Sequence, residues 1–214
     1  GDDVSDFFIL THLFPDIKFN QFSRFHRYHS RFAELNRFTD DGWDFHDLTA
    51  YHFDTEKLAK VFYDVCLRND VEFVDDKYIR ANQSDDGNIV SLKCENGTHE
   101  ADLFVDCTGF HSELLGKVMG VHYNSYANTL INHRAIAAKI PYTDKNKQLT
   151  SYTNNVTMNN GWCYEIPLWD GLSVGYVHSL KFATESSIEK EFTDRYGIEP
   201  SKGVEFRTGR YDKA

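Results

Sequence analysis

Apolar positions along the chain follow a helical period in three places. Between residues 18 and 38, Phe19, Phe22, Phe25, Tyr28, Phe32, Leu35 and Phe38 recur every three or four residues, with Arg24, Arg27, Arg31, Glu34 and Arg37 on the other faces. That spacing predicts an amphipathic helix whose aromatic stripe faces a core or walls a pocket for a flat substrate. The period returns at Leu58, Val61, Phe62 and Val65, behind Asp54 as N-cap and ending near Asn69-Asp70. It returns again at Ile188, Phe192 and Tyr196, behind a Thr184 cap and stopped by Gly197.

The intervening stretches read as strands. Residues 71–74, Val-Glu-Phe-Val, predict a short buried strand fed by the second helix. Residues 78–82 predict a second strand, and Ser84-Asp85-Asp86-Gly87 a turn. Residues 89–94 alternate, placing Val90, Leu92 and Cys94 on one face, and Asn96-Gly97 is a type I′ hairpin signal. The return strand leads into residues 101–110, where Leu103-Phe104-Val105 is an unbroken apolar run. Such a run predicts a strand covered on both faces. It passes directly into Asp106-Cys107-Thr108-Gly109, and Gly109 permits either a positive φ or a close backbone approach to a ligand. Ligands of open α/β sheets collect at such carboxyl ends, although an ordinary exit turn has the same pattern.

Further on, residues 112–119 predict a short helical segment closed by Gly120. A second sheet is expected from residues 134–140, bounded by Pro141, with a hairpin of 161–168 and 172–179 around Asp170-Gly171 and a last strand at 204–207. The fold class expected is mixed α/β (α+β). Helix, short strand, meander and buried strand in that order resemble the second half of an FAD-binding domain of the glutathione-reductase type. The expected division is a helical segment over 1–50, part of an FAD-binding domain with its meander over 51–120, and a mixed or antiparallel substrate-side sheet with a helix over 121–214.

Charge narrows the partners. Among 214 residues, 33 acidic side chains outnumber 23 Lys and Arg, giving a net charge of -10. A surface of that sign repels nucleic-acid phosphates and anionic lipid, so no nucleic acid and no membrane partner is expected. No apolar run approaches the ~20 residues of a membrane span, and there is no signal-peptide pattern. Cys66, Cys94, Cys107 and Cys163 are dispersed with no C-x-x-C pair. They read as reduced thiols of a cytoplasmic protein rather than a disulfide frame or zinc site. His26 and His29 lie three apart without clustered acidic or thiol ligands, so no metal site is expected there.

The most informative motif is Gly161-Trp162-Cys163-Tyr164-Glu165-Ile166-Pro167. It resembles the G-W-x-W-x-I-P signature of the flavin-dependent halogenases, the tryptophan-halogenase-like family. Tyr51-His52-Phe53-Asp54, residues 101–110, Asn132-His133-Arg134-Ala135, Ser151-Tyr152-Thr153 and Gly175-Tyr176-Val177 resemble that family's landmarks in the same order, from about Tyr51 to Arg210. The resemblance implies that reduced FAD, supplied by a separate flavin reductase, reacts with oxygen to a flavin hydroperoxide that oxidises a halide ion to hypohalous acid. The acid then halogenates an electron-rich, aromatic small molecule. It implies catalytic roles near the flavin for Trp162, Tyr164, Ile166 and Pro167, with Tyr164 standing where the family has its second Trp. It also implies FAD contacts at Tyr78, through its backbone, and at Thr108 and Gly109.

The family's G-x-G-x-x-G phosphate loop does not occur in this sequence. The resemblance implies that the catalytic lysine precedes Gly1 and that a flavin-closing segment would follow Arg210; whether the loop lies upstream is open from these residues. Lys18 has nothing around it that marks it as that lysine. The sequence accordingly reads as the central part of a halogenase, not active alone. Two other readings remain open at this stage: an FAD-dependent monooxygenase of the same superfamily, and a non-catalytic binding protein without the phosphate loop.

Overall fold

Helix α1, Thr55–Arg68, starts where the sequence places it. The Asp54 carboxylate accepts the backbone N–H groups of Glu56 and Lys57 at 3.1 and 3.2 Å, satisfying two donors that have no partner within the helix. The computed structural model describes residues 9, 11–16, 33, 35–36, 50–201 and 203–212. The aromatic stripe therefore lies outside the described residues except at Leu35, as do Lys18, His26 and His29. The chain divides into two compact units, Gly1–Phe53 with Ala138–Val156 and Cys163–Gly175, and Asp54–Ala137 with Thr157–Trp162 and Tyr176–Ala214.

Two sequence expectations fail beside α1. Val61, Phe62 and Val65 are 45–58% exposed rather than buried, because among the described residues no element covers that stripe. Residues 71–74 form no strand; Asp70 takes φ 57° and the chain folds back, with the Phe73 ring 4.3 Å from that of Tyr63.

The expected meander is present as β1 (Tyr78–Gln83), β2 (Ile89–Cys94) and β3 (Thr98–Glu100), antiparallel in that order. Gly87, at φ 84°, closes the first turn by donating its N–H to the Ser84 carbonyl at 2.9 Å. The second hairpin forms, but not as type I′, since neither Asn96 nor Gly97 takes a positive φ. Asp76 decides this from outside the turn: its carboxylate accepts the Asn96 backbone N–H at 3.2 Å and the Asn96 side-chain amide at 3.1 Å.

Residues 101–108 are the largest departure. The return strand stops at Glu100, and Leu103 and Val105 are 78% and 75% exposed. A strand forms only where a neighbour completes its ladder, and no strand pairs with these residues among those described. Beyond them come a 3₁₀ turn, Gly109–His111, and a single π-helical segment, Glu113–Val118, followed by Gly120 at φ 63°.

Strand β4 (Tyr123–Ser125) pairs antiparallel with a terminal strand that the sequence reading missed. The second sheet contains β5 (Arg134–Ile140), β6 (Asn154–Met158), β7 (Gly161–Leu168), β8 (Gly171–His178) and β9 (Val204–Glu205), in the order β6-β7-β8-β5-β9. A short helix α2, Lys145–Gln148, follows β5. The β7–β8 turn centres on Trp169-Asp170, one residue before the expected pair. Gly171 is instead required by packing, as a Cβ there would lie 2.7 Å from the Ile140 carbonyl. Because Ile140 meets Gly171 while His133 donates its N–H to the His178 carbonyl at 3.1 Å, β5 and β8 run antiparallel.

Helix α3, Glu185–Tyr196, carries a reciprocal Thr184–Ser187 capping box and ends at Gly197, φ 69°. Its Ile188 and Phe192 are 1% and 0% exposed, as the period predicts. Each buried side chain contributes about 1.5–3 kcal/mol. Strand β9 is shorter than expected, and β10 (Gly209–Tyr211) follows it as the partner of β4. Among the described residues no helix is long and apolar enough to cross a membrane.

Candidate active site

The signature motif is strand β7, whose side chains alternate between faces. Trp162, Tyr164 and Ile166 share one face; Cys163 and Pro167, both buried, share the other. Three of the four sequence-assigned catalytic positions therefore stand together, and Pro167 turns away from them. Trp162 is 40% exposed, so its indole is open to solvent rather than locked in core.

Two glycines explain how this strand is held. A Cβ on Gly161 would overlap the backbone carbonyl of Val177, so the motif's first residue must lack a side chain for β7 to lie against β8. The Tyr164 ring lies over Gly175 and occupies the space a Cβ there would take. The two landmarks, Gly161 to Pro167 and Gly175-Tyr176-Val177, are thus halves of one hairpin. Burial, with the neighbouring Cys163, raises the Tyr164 phenol above its ordinary value, so it stays protonated at neutral pH.

Thr108 and Gly109 belong to a turn organised by Asp106, whose role has no separate signal in the sequence. Asp106 Oδ1 accepts the Thr108 hydroxyl at 2.5 Å and the Thr108 N–H at 3.1 Å; Oδ2 accepts the N–H groups of Leu114 and Leu115, both at 2.9 Å. The Thr108 hydroxyl also accepts the Glu113 N–H at 2.8 Å. Burial works against ionisation here, but these donors outweigh it and hold the carboxyl at about pKa 2. The Thr108 side chain is therefore committed to the turn. Gly109 takes φ 61° with nothing within 4 Å of where a Cβ would be, leaving its backbone open to a ligand.

Tyr78 opens β1 opposite Cys94, with an irregularity in the register immediately after it. As β1 is the edge of its sheet, one side of its backbone has no strand partner among the described residues. Two other landmarks meet directly: His52 Nε2 and Thr153 Oγ1 lie 3.1 Å apart. Asn36 reinforces the second, donating its amide to the Leu149 carbonyl at 3.1 Å and accepting the Ser151 N–H at 2.8 Å.

A partly buried polar link went unnoticed in the sequence. The Tyr176 hydroxyl donates to Glu191 Oε2 at 2.8 Å and accepts the Asn160 N–H at 3.1 Å, while Glu191 Oε1 accepts the Asn159 N–H at 2.9 Å. It ties the turn before the signature strand to α3. The only sequence signal was an acidic residue one position from the apolar face of a helix.

The motif on β7 resembles the signature of the flavin-dependent halogenases, and comparison with known proteins agrees. The tryptophan halogenase family model matches residues 16–214, so the chain belongs to that family. The match begins upstream of the Tyr51 expected from the motifs. Tryptophan 7-halogenase KtzQ of Kutzneria sp. (strain 744) is 33% identical over 171 residues, covering 77% of this chain and 32% of that protein. The chain thus spans about a third of the length of the curated relatives it matches. Among solved structures, the tryptophan 6-halogenase SttH from Streptomyces toxytricini superposes with a TM-score of 0.71 at 30% identity, over 75% of this chain and 32% of that one. The VirX1 apo structure superposes at 0.85 with 26% identity, over 98% and 43%.

Proposed function

We propose that this chain is part of a flavin-dependent halogenase that acts on an electron-rich, aromatic small molecule. The observation that carries the reading is the common face of Trp162, Tyr164 and Ile166 on a strand held by Gly161 and Gly175, in a chain of the tryptophan halogenase family. Bound FAD would supply the oxidation of halide by oxygen. Gly109 fits such a cofactor, because the space beside its backbone is open, and so does the free edge at Tyr78. Thr108 would act indirectly, by holding the turn that presents Gly109. On β7, Trp162 and Tyr164 would screen the organic substrate from direct oxygenation through their bulk. Pro167, on the opposite face, would position that strand rather than touch reactants. A separate flavin reductase and a cytoplasmic setting complete the proposal.

The test uses the longer protein that contains this chain, supplied with FAD, a flavin reductase and either chloride or bromide. Mass spectrometry is expected to find halogen in the product, and Trp162→Phe to lower the ratio of halogenated product to wasted peroxide. Oxygenated product without halogen would favour a monooxygenase instead, a reading supported by Tyr164 standing in place of the family's second Trp.

A further inference from the structure

We propose that Asp76, Cys94 and His99 form a zinc(II) site that staples the meander. These three side chains come from separate segments: the run before β1, the end of β2, and β3. A carboxylate oxygen, a sulfur and a ring nitrogen, one from each, all lie within 4.8 Å of one another. Asp76 and Cys94 are shielded, at 5% side-chain and 7% residue exposure.

His99 Nε2 is the atom that most needs a partner. It is buried and makes no hydrogen bond. Its nearest acidic oxygen, Asp76 Oδ2, is 3.6 Å away, too far for a hydrogen bond but right for two ligands of one metal. At metal–ligand lengths of about 2.0–2.3 Å, tetrahedral zinc separates its ligand atoms by roughly 3.3–3.8 Å. Small side-chain rotations close the remaining gap.

The second sphere is also in place. Asp76 Oδ1 accepts the Lys77 N–H at 2.8 Å and the Asn96 side-chain amide at 3.1 Å, and the Asn96 backbone N–H reaches both oxygens at 3.2 Å, which fixes the carboxylate with Oδ2, keeping its second lone pair, 3.6 Å from His99 Nε2. Thiolate with imidazole selects a borderline metal over calcium or magnesium, which prefer all-oxygen shells. Three protein ligands leave a fourth position, which the half-exposed His99 places within reach of water. The dispersed spacing of the cysteines hid the site, because its ligands converge only when the hairpin folds.

The full chain, stripped with a chelator, would be titrated with Co(II) as a spectroscopic probe and then with Zn(II). Expected are one equivalent bound, a thiolate-to-cobalt charge-transfer band with visible bands of tetrahedral intensity, and displacement of both by zinc. Cys94→Ser should abolish the charge-transfer band. His99→Gln and Asp76→Asn should each weaken zinc by more than about 100-fold, the upper end of what outer-sphere changes cost, and Cys66→Ser should leave binding unchanged. Zinc should raise the melting temperature of the unaltered chain but not of His99→Gln, a variant whose folding circular dichroism can verify. A six-coordinate cobalt spectrum, or a charge-transfer band that survives Cys94→Ser, would overturn the proposal.

Discussion

Asp106 shows how much one side chain can organise. Four donors converge on its carboxylate, two of them backbone N–H groups of the following π-helical segment. In Asp106→Asn, the amide nitrogen would face either Leu114 and Leu115 or Thr108, setting donor against donor. The expected cost is about 1–2 kcal/mol, toward the low end for part-exposed hydrogen bonds, measured by urea unfolding. The folded carboxyl, at about 2, lies below the ~3.9 of an unfolded Asp. Its stabilisation is therefore complete above the unfolded value and is lost as pH falls through about 2. The acid limb of a stability–pH curve should flatten in Asp106→Asn. Tyr164 and Gly175 supply a second test at this scale. Gly175→Ala pushes a Cβ into the Tyr164 ring and should destabilise strongly, whereas Tyr164→Ala vacates that space. The double variant should be more stable than the sum of the single changes, by a coupling of about 0.5–3 kcal/mol. Additive effects would mean that the ring moves aside freely.

Among the elements, α3 was the most legible and α1 the most misleading. Both follow a 3.6-residue period, and both caps stand where the sequence put them. Of the two, only α3 buries its face, and β8 and the β6–β7 turn reach it through Tyr176 and Asn159, which both bond to Glu191. Tyr176→Phe removes a hydrogen bond to a carboxylate and leaves the Asn160 N–H without its acceptor. The expected loss is about 1.5–3 kcal/mol in thermal or denaturant unfolding. Glu191→Gln should cost less, since the amide oxygen can still accept from Tyr176 while its nitrogen faces the exposed Asn159 N–H, which water can satisfy. A larger loss in Glu191→Gln than in Tyr176→Phe would show that the Asn159 contact or the charge, rather than the hydroxyl, holds the link.

For the whole chain, the expected outcome is that it does not retain FAD on its own. A G-x-G-x-x-G turn at a helix N-terminus is the usual anchor for a pyrophosphate, and this sequence has none. A near-stoichiometric flavin absorption band after purification would refute this. Leu103, Val105 and the α1 stripe are apolar yet solvent-exposed. The same residues led the sequence reading to a buried strand and a buried helix face. Their pattern states what they can bury, not whether a covering element is at hand.

Local chemistry was settled by the sequence alone. Caps at Asp54 and Thr184, the turn at Gly87, the stop at Gly197 and strands β1, β2, β5, β7 and β8 follow from side-chain hydrogen bonding, φ preference and apolar period, all of which act over a few residues. The family was legible too, because the Gly161–Leu168 motif is written in one strand. Tertiary structure decided everything that depends on residues far apart meeting. It placed the Tyr164 ring over Gly175, drew Asp76 against the Asn96 turn in place of a type I′ geometry, and set Asp76, Cys94 and His99 together. Among the described residues it also left 101–108 without a strand partner. A strand's hydrogen bonds are made by its neighbours, and no periodicity within a segment can supply them.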